Sequence, residues 1–225
     1  MLVRLRFPEL KCAMTSLMAI GPWSGIAACG AIAVTYTVLS VVTPGYDATG
    51  ETISQLMSED ARYSALARAG LAAYCVLLVP FAVLATSLFR ARQPLALLRT
   101  IALWTHILAG LAAAGFQNDS PEEIISGITA NNIHDGSGQV LFAAAFLAVT
   151  ATAVTAHRPE SRSIARTSMV VAVVMALTGL GVVFDIPPAF TGVEERIGLA
   201  AFLIWVAIIS RYAVRLGRSR PQVSR

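Results

Sequence analysis

The sequence predicts an all-α, polytopic membrane protein: six transmembrane helices in a bundle, one integral membrane domain over 1–225, with both termini cytoplasmic. Three observations carry this. Six apolar stretches run roughly 18–42, 65–89, 99–116, 138–156, 167–184 and 197–214, each close to the ~20 residues that a ~30 Å hydrocarbon core requires. Only 13% of residues are charged while 56% are hydrophobic, whereas soluble domains carry about 25% charge. Finally, fourteen of the seventeen Lys and Arg residues fall on alternate sides of the six stretches.

The cations orient the bundle. Arg4, Arg6 and Lys11 precede the first stretch; Arg90, Arg92 and Arg99 separate the second from the third; Arg158, Arg162 and Arg166 separate the fourth from the fifth. Arg211, Arg215, Arg218, Arg220 and Arg225 follow at the end, most of them in a basic tail over 215–225. Such charges stay on the cytoplasmic side. Eleven of the thirteen carboxylates belong instead to the outer side. Acids barely influence insertion, so their accumulation there requires its own cause. The net charge of +4 does not point to nucleic acid, because the cations sit in short juxtamembrane segments, where they hold topology and meet anionic headgroups. One lysine beside sixteen arginines is the usage of a GC-rich bacterial genome. The expected location is therefore a bacterial cytoplasmic membrane, with the lipid bilayer as the first partner.

The first span follows a basic leader, as a secretory signal does. Its run of about 25 residues exceeds the ~7–15 of a signal h-region, so it is expected to remain as an anchor. Ile26-Ala27-Ala28-Cys29 loosely resembles a lipobox, but the apolar run continues to Val42 and cleavage is not expected. Gly21, Gly25 and Cys29 form a stripe of small residues every fourth position, which in lipid lets helix backbones approach. After this span, Thr52 and Gln55 have capping-box spacing, and Ile53, Leu56 and Met57 share one face. A short interfacial helix is predicted there. Pro80 lies within the second span and should kink it. Ala109 with Ala113, and Gly110 with Ala114, repeat the small-residue stripe on the third span.

Between the third and fourth spans, Ser120-Pro121-Glu122-Glu123 supplies an N-cap, a first-turn proline and two dipole-favoured acids ahead of Ile124, Ile125 and Ile128. A second short extracytoplasmic helix is predicted, ended by Asn131 and Asn132. The fourth span then enters through Ile133-His134-Asp135-Gly136-Ser137. Cys12 is expected in the cytosol, and Cys29 and Cys75 within the bilayer, so an outer disulfide framework is not expected.

A weak internal echo of three helical hairpins frames the candidate site. Each outward-running span finishes with an acid: Asp47, Asp119 and Asp185. Two inward-running spans begin with a cation, Arg68 and Arg196, and the other begins beside His134. Both placements oppose the helix macrodipole, and they can compensate one another. The expectation is a single hydrogen-bonded cluster of these six groups lining an outward-facing mouth. The alternative is six independent, solvated loop charges. His106 stands apart, about 10 Å along its helix from Arg99. It reads either as a relay, quinone contact or haem ligand, or as a neutral histidine bonded to a neighbouring helix beside Tyr36 or Tyr74.

Pro44-Gly45-Tyr46-Asp47, then Thr52-Ile53-Ser54-Gln55-Leu56, Asp119, His134-Asp135 and Gly192-Val193-Glu194-Glu195-Arg196 stand in a characteristic order. In that order and spacing the chain, from about Gly21 to Leu216, resembles the prokaryotic membrane-protein family known as domain of unknown function 998 (DUF998). Relatives often have Ser-Glu where this chain has Ser54-Gln55. The resemblance implies a six-helix fold and no assigned activity.

Three function classes follow. The leading one is a non-enzymatic membrane protein whose outer polar mouth binds a small molecule, lipid headgroup or partner. The second is a small transporter or permease component using His106 and the outer acids as a relay, for which a homo-oligomer is expected. The third is an outer-leaflet hydrolase, with Ser54 or Ser137 as nucleophile beside His134, or with His134, Asp135 and Asp119 around a metal. A zinc site needs three or four ligands with supporting partners, and His134 is the sole histidine expected on this face. No metal and no cofactor are therefore assigned.

Overall fold

The computed structural model describes residues 7–88, 94–156, 161–184 and 188–218. Six long helices dominate: α1 (Phe7–Val42), α2 (Ser64–Leu88), α3 (Pro94–Gly115), α4 (Ala130–Thr155), α5 (Arg162–Phe184) and α6 (Thr191–Arg218). All six are long and apolar enough to cross a membrane, the shortest such segment being the 21 residues Arg162–Val182. Consecutive helices pack side by side, and α1 closes the ring against α6. The C-termini of α1, α3 and α5 therefore gather with the N-termini of α2, α4 and α6 at one end of the bundle. That end holds most of the carboxylates and is called the acidic end below; the other is the basic end.

In lipid, helices associate through close fit and dispersion, because tails are as apolar as the side chains. The small-residue stripes supply that fit. A Cβ added to Gly21 would lie 2.8 Å from the Pro80 carbonyl oxygen, and one added to Gly25 would lie 2.8 Å from the Phe81 ring and 2.6 Å from Ser210 Oγ. Cys29 Sγ donates to the Leu203 carbonyl at 3.3 Å. The stripe thus seats α1 in the angle between α2 and α6. Gly110 does the same for α3, its missing side chain occupied by Cys75 and Leu141. Ala109, Ala113 and Ala114 are buried with it. Cys29 and Cys75 are free thiols.

Inside the ring, long side chains fill the space that the backbones leave. Trp205 stacks on Phe202 with centroids 5.5 Å apart and meets Phe81 edge-on at 6.0 Å. Its indole N–H, which needs a partner once buried, donates to Ser168 Oγ at 3.0 Å. α2 continues through Pro80 to Leu88.

Four features differ from the sequence reading. First, the helices outrun the apolar stretches. α3 begins at Pro94, α4 at Ala130 and α6 at Thr191, because hydropathy registers only the part matched to hydrocarbon, whereas capping groups set the ends. Second, Arg99 does not lie in a loop. It is 1% exposed in the second turn of α3 and reaches Thr155 Oγ1, on the last residue of α4, at 3.3 Å. A guanidinium there complements the C-terminal dipole of α4.

Third, the predicted helix over Ile124–Ile128 is a β-hairpin, with β1 (Glu123–Ile125) antiparallel to β2 (Ile128–Thr129). Gly127 turns it with φ +76° and donates to Glu123 Oε1 at 2.7 Å. The helix start lies further on, at Thr129, whose Oγ1 accepts from Asn132 N at 3.2 Å while Asn132 Oδ1 accepts from Thr129 N at 3.0 Å. This reciprocal box makes Asn131 and Asn132 the opening turn of α4 rather than the end of a preceding helix. Three β-branched isoleucines around a Ser126-Gly127 turn favour the extended form. Fourth, the segment around Thr52 is a single 3-10 turn, Ile53–Met57, with Gln55 Oε1 accepting from Thr52 N at 2.8 Å as the spacing predicted. Ile53, Leu56 and Met57 are buried in the bundle's own core, not laid on a lipid interface.

Candidate functional site

The acidic end is closed by its first loop. The 3-10 turn presses Ile53, Leu56 and Met57 down between the helix ends, and Tyr36, on the α1 face below, points its hydroxyl at Met57 Sδ at 3.7 Å. Two polar nodes hold this plug.

The first node is built on α6. Arg196 Nη1 donates to the carbonyls of Gly192 at 2.7 Å and Glu51 at 3.0 Å, and Nη2 donates to Ser40 Oγ at 3.3 Å and to the Tyr46 hydroxyl. The guanidinium also lies 5.5 Å from the Tyr46 ring centroid, a cation–π distance. Tyr46 donates in turn to the Thr52 carbonyl at 2.8 Å. Burial pushes the Tyr46 phenol above its ordinary pKa, with the Arg196 hydrogen bond and charge opposing that rise. Next to Arg196, Glu195 Oε2 accepts from Ile53 N at 2.5 Å, and Val193 N donates to the Thr49 carbonyl at 3.1 Å. Gly192 has to be glycine, since a Cβ there would run into the Glu51 and Ala48 carbonyls.

The second node caps α3. Arg68 donates through Nε to the Ala114 carbonyl at 2.8 Å and through Nη2 to the Gly115 carbonyl at 2.7 Å. His134, 1% exposed at the start of α4, donates through Nδ1 to the carbonyls of Ala113 at 2.9 Å and Phe116 at 3.0 Å. Because carbonyl oxygens only accept, the proton must be on Nδ1. Four consecutive carbonyls at the end of α3 are thereby satisfied by two neighbouring helices. Loop residues join the nodes: Asn118 N donates to the Met57 carbonyl and Glu59 N to the Asn118 carbonyl, at 3.3 and 3.2 Å.

Asp47, Asp119 and Asp135 turn the other way, to the exposed surface. Asp47 is exposed and accepts from Thr49 N at 2.9 Å and Gly50 N at 3.3 Å. The Thr49 N–H bond holds its carboxyl below the ordinary aspartate pKa, with Gly50 and the Arg196 charge adding to it. Asp119, exposed with φ +58°, donates its N–H to Asn131 Oδ1 at 2.7 Å and accepts from Asn118 Nδ2 at 3.3 Å. Asp135 accepts from Asn131 Nδ2 at 3.0 Å. Asp185 lies outside the described residues. Thus Arg196 and Arg68 with His134 occupy separate nodes, Asp47 sits beside the first, and Asp119 and Asp135 share Asn131 beside the second. Ser54 is half-buried on the 3-10 turn, and Ser137 lines a groove between α3 and α4.

His106, 1% exposed, is enclosed. Its Nδ1 donates to the Leu141 carbonyl at 2.9 Å and its Nε2 accepts from the Tyr74 hydroxyl at 2.8 Å. Both ring nitrogens are engaged, and the ring packs 4.7 Å from Phe202. Among the described residues, no group of three or more His, Cys, Asp or Glu side chains is placed to hold a metal ion. Sequence reasoning singled out Arg196 but not Glu195 beside it, nor Tyr46 and Asn131. Their adjacency to Asp47 and Asp135 in sequence or helical register was the available signal.

Six helices long and apolar enough to cross a membrane make this a multi-pass membrane protein. More particularly, residues 26–212 match the family described as protein of unknown function (DUF998), and the chain belongs to that family. No curated protein and no solved structure matches it.

Proposed function

We propose that the chain is a non-enzymatic binding protein of the outer membrane face, whose acidic end receives a small molecule, lipid headgroup or partner. One observation carries the reading: at this end two of the arginines are turned inward while six of the carboxylates stand exposed. Arg68 and Arg196 are engaged with backbone carbonyls of the plug and of α3, while Glu59, Asp60, Asp119, Glu122, Glu123 and Asp135 are exposed. A surface so divided attracts cationic groups and repels anionic ones. The enclosed His106 and the seated plug favour display over passage through the bundle, and His134, tied to α3, is poorly placed to activate a serine. The experiment compares lipid and metabolite profiles of a deletion strain complemented with wild type or with Glu122→Gln, Glu123→Gln and Asp135→Asn together. At equal protein levels, the neutralised variant is expected to reproduce the deletion profile. Full complementation by that variant would overturn the reading.

A further inference from the structure

Helices α4 and α6 run in the same direction, and α5 runs back between them, packed on both. Two layers of this seam, one helical turn apart, differ in what fills them. In the lower layer the Phe142 ring of α4 takes the space: a Cβ added to Gly179 on α5 would lie 2.6 Å from it, and one added to Gly198 on α6 would lie 2.8 Å from it. One turn nearer the acidic end, the residues four back along α4 and α6 share those faces. There α4 carries Gly138, where an added Cβ would meet nothing within 4 Å, and α6 carries Glu194. The Glu194 carboxyl lies against Gly181 of α5, where any Cβ would run into it. Where the lower layer holds a phenyl ring, the upper one holds a carboxylate level with a glycine and open space.

This carboxylate lacks a counter-charge. Its Oε2 is shut off from solvent and has no hydrogen-bond partner among the described residues. The arginines of the acidic end are engaged elsewhere: Arg62 lies 5.4 Å from the Tyr63 ring centroid, Arg68 bonds α3 carbonyls and Arg196 bonds the plug. Gly181 belongs to the last turn of α5, the negative end of that helix, where cations are favoured and anions are not. Charges at a helix seam in a membrane protein pair with one another or face a cavity, and an uncompensated one is costly.

A cation of the right kind completes the layer. A divalent ion asks for roughly six or more oxygen ligands, and no group of three His, Cys, Asp or Glu side chains gathers among the described residues. An organic ammonium brings its own N–H donors to the carboxylate, an apolar body to the glycine walls and a positive charge to the Phe142 ring beneath. Glu194 as a whole is only partly buried, so a small molecule can reach it.

We infer that the seam of α4, α5 and α6 holds a seat for a small organic ammonium ion, with Glu194 as its counter-charge, Phe142 as its floor and Gly138 giving it room. The seat goes beyond the binding role proposed above, since it stands on Glu194 and not on the exposed carboxylates.

The test titrates the purified full chain in detergent with butylammonium chloride in a calorimeter, with sodium chloride and sodium butyrate at the same ionic strength as controls. Wild type is expected to bind butylammonium saturably and about tenfold more tightly than Glu194→Gln, the scale of one charge-assisted hydrogen bond, and to bind neither control. Gly138→Leu, which fills the space opposite the carboxylate, should abolish binding. Glu194→Gln keeps the shape of the side chain, so it decides the matter even where Gly138→Leu lowers the thermal midpoint. Absence of saturable butylammonium binding to wild type, equal binding by Glu194→Gln, or saturable binding of sodium that Glu194→Gln abolishes overturns the inference. Binding that survives in Glu194→Gln and Gly138→Leu but is lost in the Glu122→Gln/Glu123→Gln/Asp135→Asn variant overturns the seat and leaves the surface reading standing. Binding lost in Glu194→Gln and kept in that triple variant supports the seat whatever becomes of the surface reading.

Discussion

At the scale of single residues, the cations at the acidic end resolve an apparent conflict. Arg68 and Arg196 begin helices, where a positive charge opposes the dipole. Their acceptors lie elsewhere. Arg68 reaches the last carbonyls of α3, and Arg196 reaches Ser40 in the last turn of α1 together with the plug. In an antiparallel ring, each helix start stands beside a neighbour's end, so a long side chain is unfavourable locally and favourable across the interface. The sequence shows the local half of this and hides the other half, since nothing in it reveals which terminus adjoins. His106 is a similar case: the residue was conspicuous, but only packing shows both nitrogens bonded. Interhelical hydrogen bonds in membranes average ~0.6 and reach ~1.7 kcal/mol. His106→Phe, which keeps the ring and removes both bonds, is expected to lower stability by about 1–2 kcal/mol. Tyr74→Phe should cost about 0.6 kcal/mol. A double-mutant cycle on thermal unfolding checks this, and the double variant should lose less than the sum of the two. Strict additivity would mean that the Tyr74–His106 bond carries no energy.

At the scale of elements, glycine positions separate contact faces from lipid faces. Gly25 touches Phe81 and Ser210, whereas Gly30, half a turn or so further round, would place a Cβ in open space. Gly25→Ala is therefore expected to destabilise by about 1–3 kcal/mol through overpacking. Gly30→Ala should be neutral or stabilising by up to ~1 kcal/mol, because glycine is a poor helix former. Detergent thermal melts of the two variants decide this, and equal effects would contradict the assigned α1 face. The stripe was legible from spacing alone, since a repeat of four is a geometric property of the helix. The Ser120–Asn132 segment was less so. It carries an apparent N-cap at Ser120 and a real one at Thr129, and local residues alone do not rank the two. Hydrogen bonds from Ala130 N to the Glu122 carbonyl and Asn131 N to the Ser120 carbonyl fold the hairpin back onto α4. Those contacts, not propensity, settle its form.

For the whole molecule, the expected orientation places the hairpin outside and the end of α6 inside. Ile125→Cys is expected to react with a membrane-impermeant maleimide in intact cells, and Leu216→Cys only after permeabilisation; both sites are exposed, and Cys29 and Cys75 lie in the helix packing. The reverse pattern would invert the bundle. Reaction of both from one side would remove an odd number of crossings between them. The same closed ring explains why the acidic end reads as a surface rather than a mouth. Loop residues 47–59 carry enough apolar and backbone partners to seat between the helix ends, which leaves Asp47, Glu59 and Asp60 facing water.

By itself, the sequence determined the number of crossings, their approximate extent, the end at which charge of each sign collects and the stripes on which helices meet. These depend on one-dimensional quantities: apolar length against bilayer thickness, charge against span order, and residue spacing against helical pitch. Only the tertiary structure decided that Ile53, Leu56 and Met57 close the bundle, that Arg99 is buried at the end of α4, and that Arg68 and His134 cap α3 together. Each of these joins segments that the sequence leaves unrelated. Which helix end stands beside which loop follows from the ring closing α1 on α6, a condition on all six helices at once.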